Sequence, residues 1–254
     1  MWGSSSGYSS GEARMGEAGR LTVDFPPLKA LLGGPIPFGT TWMVRGGPGT
    51  GKTTFAFQFA LQGLRKGESA IYVACDEPPE RIVSNAESFG FGVAAYGEMG
   101  KFIVVDAFSP HPKGEFGVSD RSDPEEFVYV LRRAISTVGR PCRVIVDSMA
   151  SLLASLPPRE LVALAYEKNR MLRAPDVVLL DVYLTAAVEA ANVYALSNAY
   201  DVEIDLYMAE EVAGIPKRFL RIRKLRGGTY DPRPFPFAIR PQQGVVVDDR
   251  YYEE

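Results

Sequence analysis

The stretch that decides the fold is TWMVRGGPGTGKTTFAFQFALQGLRKG, Thr41 to Gly67. Thr41 to Arg45 reads as a strand. Thr53 to Arg65 reads as a helix with Phe55, Phe59 and Leu61 on its apolar side and Gly67 just past its end. Between them, Gly46 to Thr53 gives glycine, four residues, glycine, lysine and a hydroxyl residue, the spacing of a phosphate-binding loop. Such a loop turns successive backbone N–H groups toward phosphate oxygens, while the following helix aims its positive end at the same charge. The expected cradle is Gly47, Pro48, Gly49, Thr50, Gly51, Lys52, Thr53 and Thr54. Lys52 reaches the β and γ phosphates and the Thr53 hydroxyl ligates Mg²⁺. The implied ligand is Mg·ATP.

Working outward, short apolar runs alternate with helical patterns, the order of a parallel sheet with crossover helices. Strands are predicted at Ser69 to Cys75, Phe102 to Val105, Arg143 to Val146 and Val177 to Tyr183. One helix starts at Pro79 and stops at Gly90. Another starts at Asp123, Pro124 and Glu126, where the pattern supplies a capping side chain, an N-terminal proline and a carboxylate reaching back, and it runs to about Val138. Nothing is assigned between Asp147 and Val177. Beyond Tyr200, strands at Val202 to Met208, Arg218 to Leu225, Phe235 to Ile239 and Val245 to Val247 suggest an antiparallel extension. The fold class is α/β, a mostly parallel twisted sheet flanked by helices. Residues 1–20, rich in Gly, Ser and charge, are expected to be a flexible tail before one domain over 21–254.

Composition agrees with one ordinary α/β domain: 254 residues, 46% hydrophobic and 23% charged. Cys75 and Cys142 lie in apolar runs and are expected to be buried hydrophobes. His111, between Pro110 and Pro112, receives no role. No apolar run approaches membrane-spanning length and the N-terminus lacks a signal peptide's apolar segment, so the expected location is the cytoplasm without membrane insertion. The net charge of -3 gives no global attraction to nucleic acid, so such binding would need a local basic patch.

Two acidic positions complete the candidate chemistry. Asp147 closes the strand RVIVD and is delivered to the sheet edge beside the loop, where it is the expected second Mg²⁺ anchor. Asp76 and Glu77 follow the strand IYVAC. A carboxylate there orients the water that attacks the γ-phosphate, with Glu77 the first candidate and Asp76 the second; the competing reading is a helix N-terminal charge cluster.

The blocks LKALLGGPIPFGTTWMVRGGPGTGKTT, IYVACDEPPERIVSNAESFGFGV, RVIVDSMASLL and RIRKLRGGTY together resemble the RecA-superfamily ATPases, within them the single-domain KaiC-like and RadA-paralogue-like proteins, over about residues 21–247. The resemblance implies a RecA-like fold, ATP hydrolysis with the catalytic acid in the Asp76–Glu77 pair, and hexameric rings with ATP between subunits. It further implies that Lys224, Leu225 and Arg226 of the KLRG-type block reach a neighbour's nucleotide and that Ser88 lies in the nucleotide pocket. This chain departs from that pattern in three places. Gly228 and Tyr230 replace the usual Thr and His. The entry segment LTVDFPPLKALLGG lacks the usual Thr-Gly and Asp. The strand VVLLDVYL lacks the polar pair that senses γ-phosphate, leaving Asp181, Tyr183 or Thr185 as substitutes.

The functional reading is an ATPase in a nucleotide-dependent ring with a regulatory or signalling role and an unidentified protein partner. One alternative is an ATP-binding assembly scaffold with little hydrolysis. The other is a recombination protein whose run KRFLRIRKLR, Lys217 to Arg226, binds single-stranded DNA. Read plainly, that run is a strand with Leu220 and Ile222 inward and long cationic stems at the surface.

Overall fold

A computed structural model describes residues 21–154, 157–185, 195–210 and 216–252; the expected tail, 1–20, lies outside them. Two short strands, β1 (Thr22–Val23) and β2 (Ile36–Pro37), pair with each other and flank a 3-10 turn at Pro26–Leu31. The main sheet is built from β3 (Thr41–Gly46), β4 (Ser69–Ala74), β5 (Phe102–Asp106), β6 (Cys142–Asp147), β7 (Val177–Leu184), β8 (Val202–Glu210), β9 (Pro216–Leu225), β10 (Phe235–Arg240) and β11 (Gly244–Val247). Its spatial order is β11-β10-β9-β8-β3-β7-β6-β4-β5. The segment from β8 to β5 is parallel, and β8 through β11 pair antiparallel.

The antiparallel extension therefore begins one strand later than its sequence pattern starts. β8 is antiparallel to β9 but parallel to β3, with Trp42 opposite Val202 and Gly46 opposite Leu206. Its alternation explains the double role: Val202, Ile204 and Leu206 join one hydrophobic core, while Glu203 and Asp205 face the other way and pair with Arg45, Arg221 and Arg223.

Among the described residues, the helices that cover the sheet include α1 (Lys52–Arg65), α2 (Pro79–Ser88), α3 (Val93–Glu98), α4 (Pro124–Val138) and α5 (Pro158–Leu172). α1 is central to one face and buries Phe55, Phe57, Phe59, Leu61 and Leu64 against Trp42, Tyr72, Ile145 and Ile204. Each such aromatic side chain removed from water contributes about 1.5–3 kcal/mol, so this helix is anchored by packing more than by propensity. The opposite face is packed by α4 and α5 through Phe127, Leu131, Ile135, Leu161 and Leu164.

The start of α4 follows its sequence signal with one difference. Asp123 accepts from the backbone N–H groups of Glu125 and Glu126 at 2.8 and 3.2 Å. Glu126 does not reach back to the cap; its carboxylate accepts from Ser119 and Asp120 N–H, both at 2.8 Å, and so fixes the preceding loop. α5 and α3 have no counterpart in the sequence analysis. Among the described residues, no helix is long and apolar enough to cross a membrane.

Candidate nucleotide site

The parallel strands place their C-terminal ends on one edge, and the loop leaves that edge from β3. Gly51 takes φ +97° as α1 begins, a backbone state that glycine adopts at no steric cost. A Cβ there would also lie 2.6 Å from Ile239 Cδ1, so β10 closes over the loop from the far side. Within the loop, the Thr50 hydroxyl and Lys52 Nζ both donate to the Gly47 carbonyl, at 2.9 and 2.7 Å. These are internal contacts that an incoming phosphate, charged itself, would replace with stronger ones.

Two acidic groups converge on Lys52 and Thr53. β6 ends in Asp147, which is buried, accepts a 2.5 Å hydrogen bond from the Tyr72 hydroxyl, and also bonds the Thr53 side chain. Burial raises its pKa against the opposing pull of Tyr72, Thr53 and Lys52. Asp76 follows β4 next door, bonded to Ser148 and Ser151, and its pKa is raised by desolvation and then by the Glu77 charge. Lys52 lies in the field of both Asp147 and Asp76, while burial lowers its own pKa. Arg121, from the loop before α4, adds a second cation near Asp76. Glu77 points elsewhere: it accepts from Asn85 at 2.9 Å and pairs with Arg81 at 3.2 Å along exposed α2.

This donor set fits Mg²⁺ carried by a nucleotide. A buried carboxylate destabilised by its surroundings and an adjoining hydroxyl are hard oxygen ligands, and a small cation relieves that destabilisation. Among the described residues no cluster of three or more His, Cys, Asp or Glu forms a complete metal cage. The remaining ligands would be phosphate oxygens and water, the usual arrangement for this ion.

The structure divides the other sequence candidates between two edges. The Ser88 to Gly90 block meets the β10–β11 turn, where Gln242 N–H donates to the Phe89 carbonyl at 2.9 Å, and the same hairpin covers Gly51. The Ser88 hydroxyl itself donates to Ser84 within α2. Lys224, Leu225 and Arg226 lie on the opposite edge. Leu225 pairs with Val202 at the start of β8, Lys224 donates to the Ser197 carbonyl, and Arg226 donates to the Asn198 carbonyl at 2.8 Å. The turn that carries them packs on the entry segment, where a side chain at Gly33 would collide with Thr229 and Gly33 N–H donates to the Thr229 carbonyl.

Of the three candidate substitutes on or just beyond β7, two are spoken for. Asp181 is fully buried and binds Lys168 and Tyr200; Tyr183 is buried against Tyr200, with their hydroxyls 2.8 Å apart. Only Thr185 is exposed, just beyond Leu184, which pairs with Gly46. The basic run resolves as β9, with Leu220 and Ile222 buried and Arg221 and Arg223 paired to Asp205 at 3.1 and 3.0 Å.

With this geometry in hand, the sequence profile described as "ATPase: KaiC" matches residues 25–251. The chain belongs to the KaiC ATPase family. Among its KaiC-like relatives, a UPF0273 protein of Thermotoga maritima is 32% identical, covering 90% of this chain and 95% of that one. The circadian clock protein KaiC3 of Synechocystis is 25% identical over 90% of this chain, which corresponds to 45% of the longer clock protein. A crystal structure of a KaiC-like protein from Pyrococcus horikoshii superposes with a TM-score of 0.75 at 25% identity, covering 90% of this chain and 98% of that one. The RecA-type α/β fold expected from the sequence is therefore the fold of the chain.

Sequence reasoning missed Tyr72, Ser148, Ser151 and Arg121. None carries a motif signal of its own. Tyr72 reads as one more apolar residue of a buried strand, and Arg121 as a loop charge.

Proposed function

We propose that this chain binds Mg·ATP on Gly46–Thr54 and hydrolyses it, as a subunit of a ring in which each nucleotide lies between neighbours and controls assembly with a protein partner. The observation that carries this reading is the placement of Lys52, Thr53, Asp147 and Asp76 on one sheet edge, with Lys224 and Arg226 on the other. One edge holds a nucleotide and the opposite edge offers cations, so the two surfaces are complementary between copies. The resemblance to RecA-superfamily rings supports a hexamer.

In the mechanism, Lys52 and the loop N–H groups hold the phosphates. Thr53 and Asp147 would hold Mg²⁺, which when bound would neutralise charge on the phosphates. A carboxylate of the Asp76–Glu77 pair orients the attacking water. The geometry favours Asp76 over Glu77 for this role: Asp76 stands beside Lys52 and Asp147 and is made more basic by its surroundings, whereas Glu77 is engaged by Asn85 and Arg81. Asp76→Asn is expected to leave ATP bound while lowering turnover by about 10²- to 10⁴-fold. Glu77→Gln should have the smaller effect. Phosphate release with Mg·ATP, compared with a Lys52→Ala control, tests the whole reading: turnover no higher than that control sinks the enzymatic claim, and a larger loss in Glu77→Gln returns the role to Glu77.

One observation favours the scaffold alternative. With Asp181 and Tyr183 locked in the core, only Thr185, just beyond β7, remains of the three to sense the γ-phosphate. Tight Mg·ATP binding with negligible release, and ring assembly that survives Asp76→Asn, would select that reading. The pairing of Arg221 and Arg223 with acids on β8 weakens the single-stranded DNA reading, which a low-salt filter-binding titration checks.

A further inference from the structure

We infer that Tyr72 is a positioning residue for the divalent cation: its hydroxyl holds one oxygen of Asp147 and thereby presents the other to the metal. This inference rests on the Mg·ATP reading above and adds a residue to it.

Three observations carry it. The Tyr72 hydroxyl donates to Asp147 Oδ2 at 2.5 Å, in a site where both residues are buried. The ring is itself fixed, stacked on Phe57 of α1 with centroids 4.5 Å apart and planes 11° from parallel. The two strands are locked in register, with Tyr72 opposite Ile145 and Ala74 opposite Asp147. A phenol held on two sides by α1 and β4 thus sets the rotation of a carboxylate on β6, the helix being the one that carries Lys52 and Thr53.

The chemistry favours this direction of action. A phenol hydroxyl donates and a carboxylate oxygen accepts, so the bond runs from Tyr72 to Asp147. A carboxylate with one oxygen committed to a donor enters a metal site with its second oxygen pre-oriented, and its rotational freedom is lost before the cation arrives. Partners of this kind, one bond behind the ligand, typically account for about 10- to 100-fold in metal affinity.

The test uses the full chain with Mn²⁺ as the spectroscopic probe. Mn²⁺ affinity of the protein·ATP complex is followed by electron paramagnetic resonance, and ATP affinity without divalent metal by calorimetry in EDTA. Tyr72→Phe keeps the ring and its stack on Phe57. It is expected to bind ATP in EDTA like wild type but to bind Mn²⁺ about 10-fold or more weakly. Added to Asp147→Asn, it should weaken Mn²⁺ binding no further, because its route to the metal is already gone. Mn²⁺ affinity of Tyr72→Phe within twofold of wild type overturns the inference. So does an additive loss in the double variant, which remains readable even if Tyr72→Phe lowers the melting temperature. A wild-type protein whose ATP binding gains nothing from divalent metal would instead overturn the nucleotide-site reading itself, and Tyr72 with it.

Discussion

Arg226→Ala is expected to lower ATP turnover by about 10³-fold or more, and mixing it with the equally inactive Lys52→Ala should restore part of the activity. The expectation follows from distance. Arg218 at the start of β9 donates to the Gly49 carbonyl of its own phosphate loop at 3.3 Å. At about 3.3 Å per residue, Lys224 on the same strand is roughly 20 Å further on, beyond the reach of any side chain back to that loop. Cations so placed do not reach their own subunit's loop, and in the proposed ring they would serve a neighbour's nucleotide. In trans, a guanidinium stabilises charge developing on the γ-phosphate and is worth about 10³ to 10⁵ in rate in related systems. In mixed rings some interfaces pair an intact Lys52 with an intact Arg226, which is why activity should return. Full turnover by Arg226→Ala alone would refute the shared site, as would a mixture that forms rings and stays inactive.

Arg143→Ala is expected to cost about 3–5 kcal/mol of folding stability, with the nucleotide loop itself untouched. Arg143 is the second residue of the strand that ends in Asp147, yet it is completely buried. Its guanidinium pairs with Glu68 at 2.5 Å through Nε and 3.1 Å through Nη2, donates to the Phe59 and Asp24 carbonyls, and lies 4.7 Å from the centroid of the Phe59 ring. A side chain at Gly63 would strike this pair, so α1 is shaped around it. Alanine leaves a buried carboxylate without its cation and two carbonyls without their donor. Urea unfolding measures the loss, with Arg140→Ala as the comparison: that arginine's pair with Asp176 is half exposed and should contribute less than about 1 kcal/mol. A loss below about 1 kcal/mol for Arg143→Ala would contradict the account. Replacing both members, as Arg143→Met with Glu68→Leu, should recover most of it, because the cost lies in the orphaned charge.

These two residues also mark where the sequence was and was not legible. Residues 41–67 could be read almost to the residue, because strand, loop and helix each have a local signature and the signatures agree. The cap at Asp123 and the delivery of Asp147 by an apolar strand were legible for the same reason. α5 was not. Its Lys168 and Asn169 are buried, and they interrupt the apolar stripe that would identify a helix. They are tolerated because Asp181 and the Ala199 carbonyl, both distant in sequence, bind them at 2.9 and 3.0 Å. Arg143 and Tyr72 escaped for the same cause. A buried polar group is defined by partners that only the folded sheet assembles. That α2 engages Glu77 and leaves Asp76 beside Lys52 was not legible either, because two adjacent acids carry no local signal for it.

The strand β9 has a consequence of its own. Near one end, its Arg218 touches the phosphate loop of its own subunit, and near the other it carries Lys224, a cation we assign to a neighbour's nucleotide. A hydrogen-bonded strand is stiff along its length, so a displacement at one end arrives at the other with little loss. In a closed ring the sites would then form a chain of levers, each fulcrum fixed by the pairing of β9 with β8 and β10. Emptying one site would retune the next before any subunit rotated, and the response to ATP concentration would be steeper than that of independent sites.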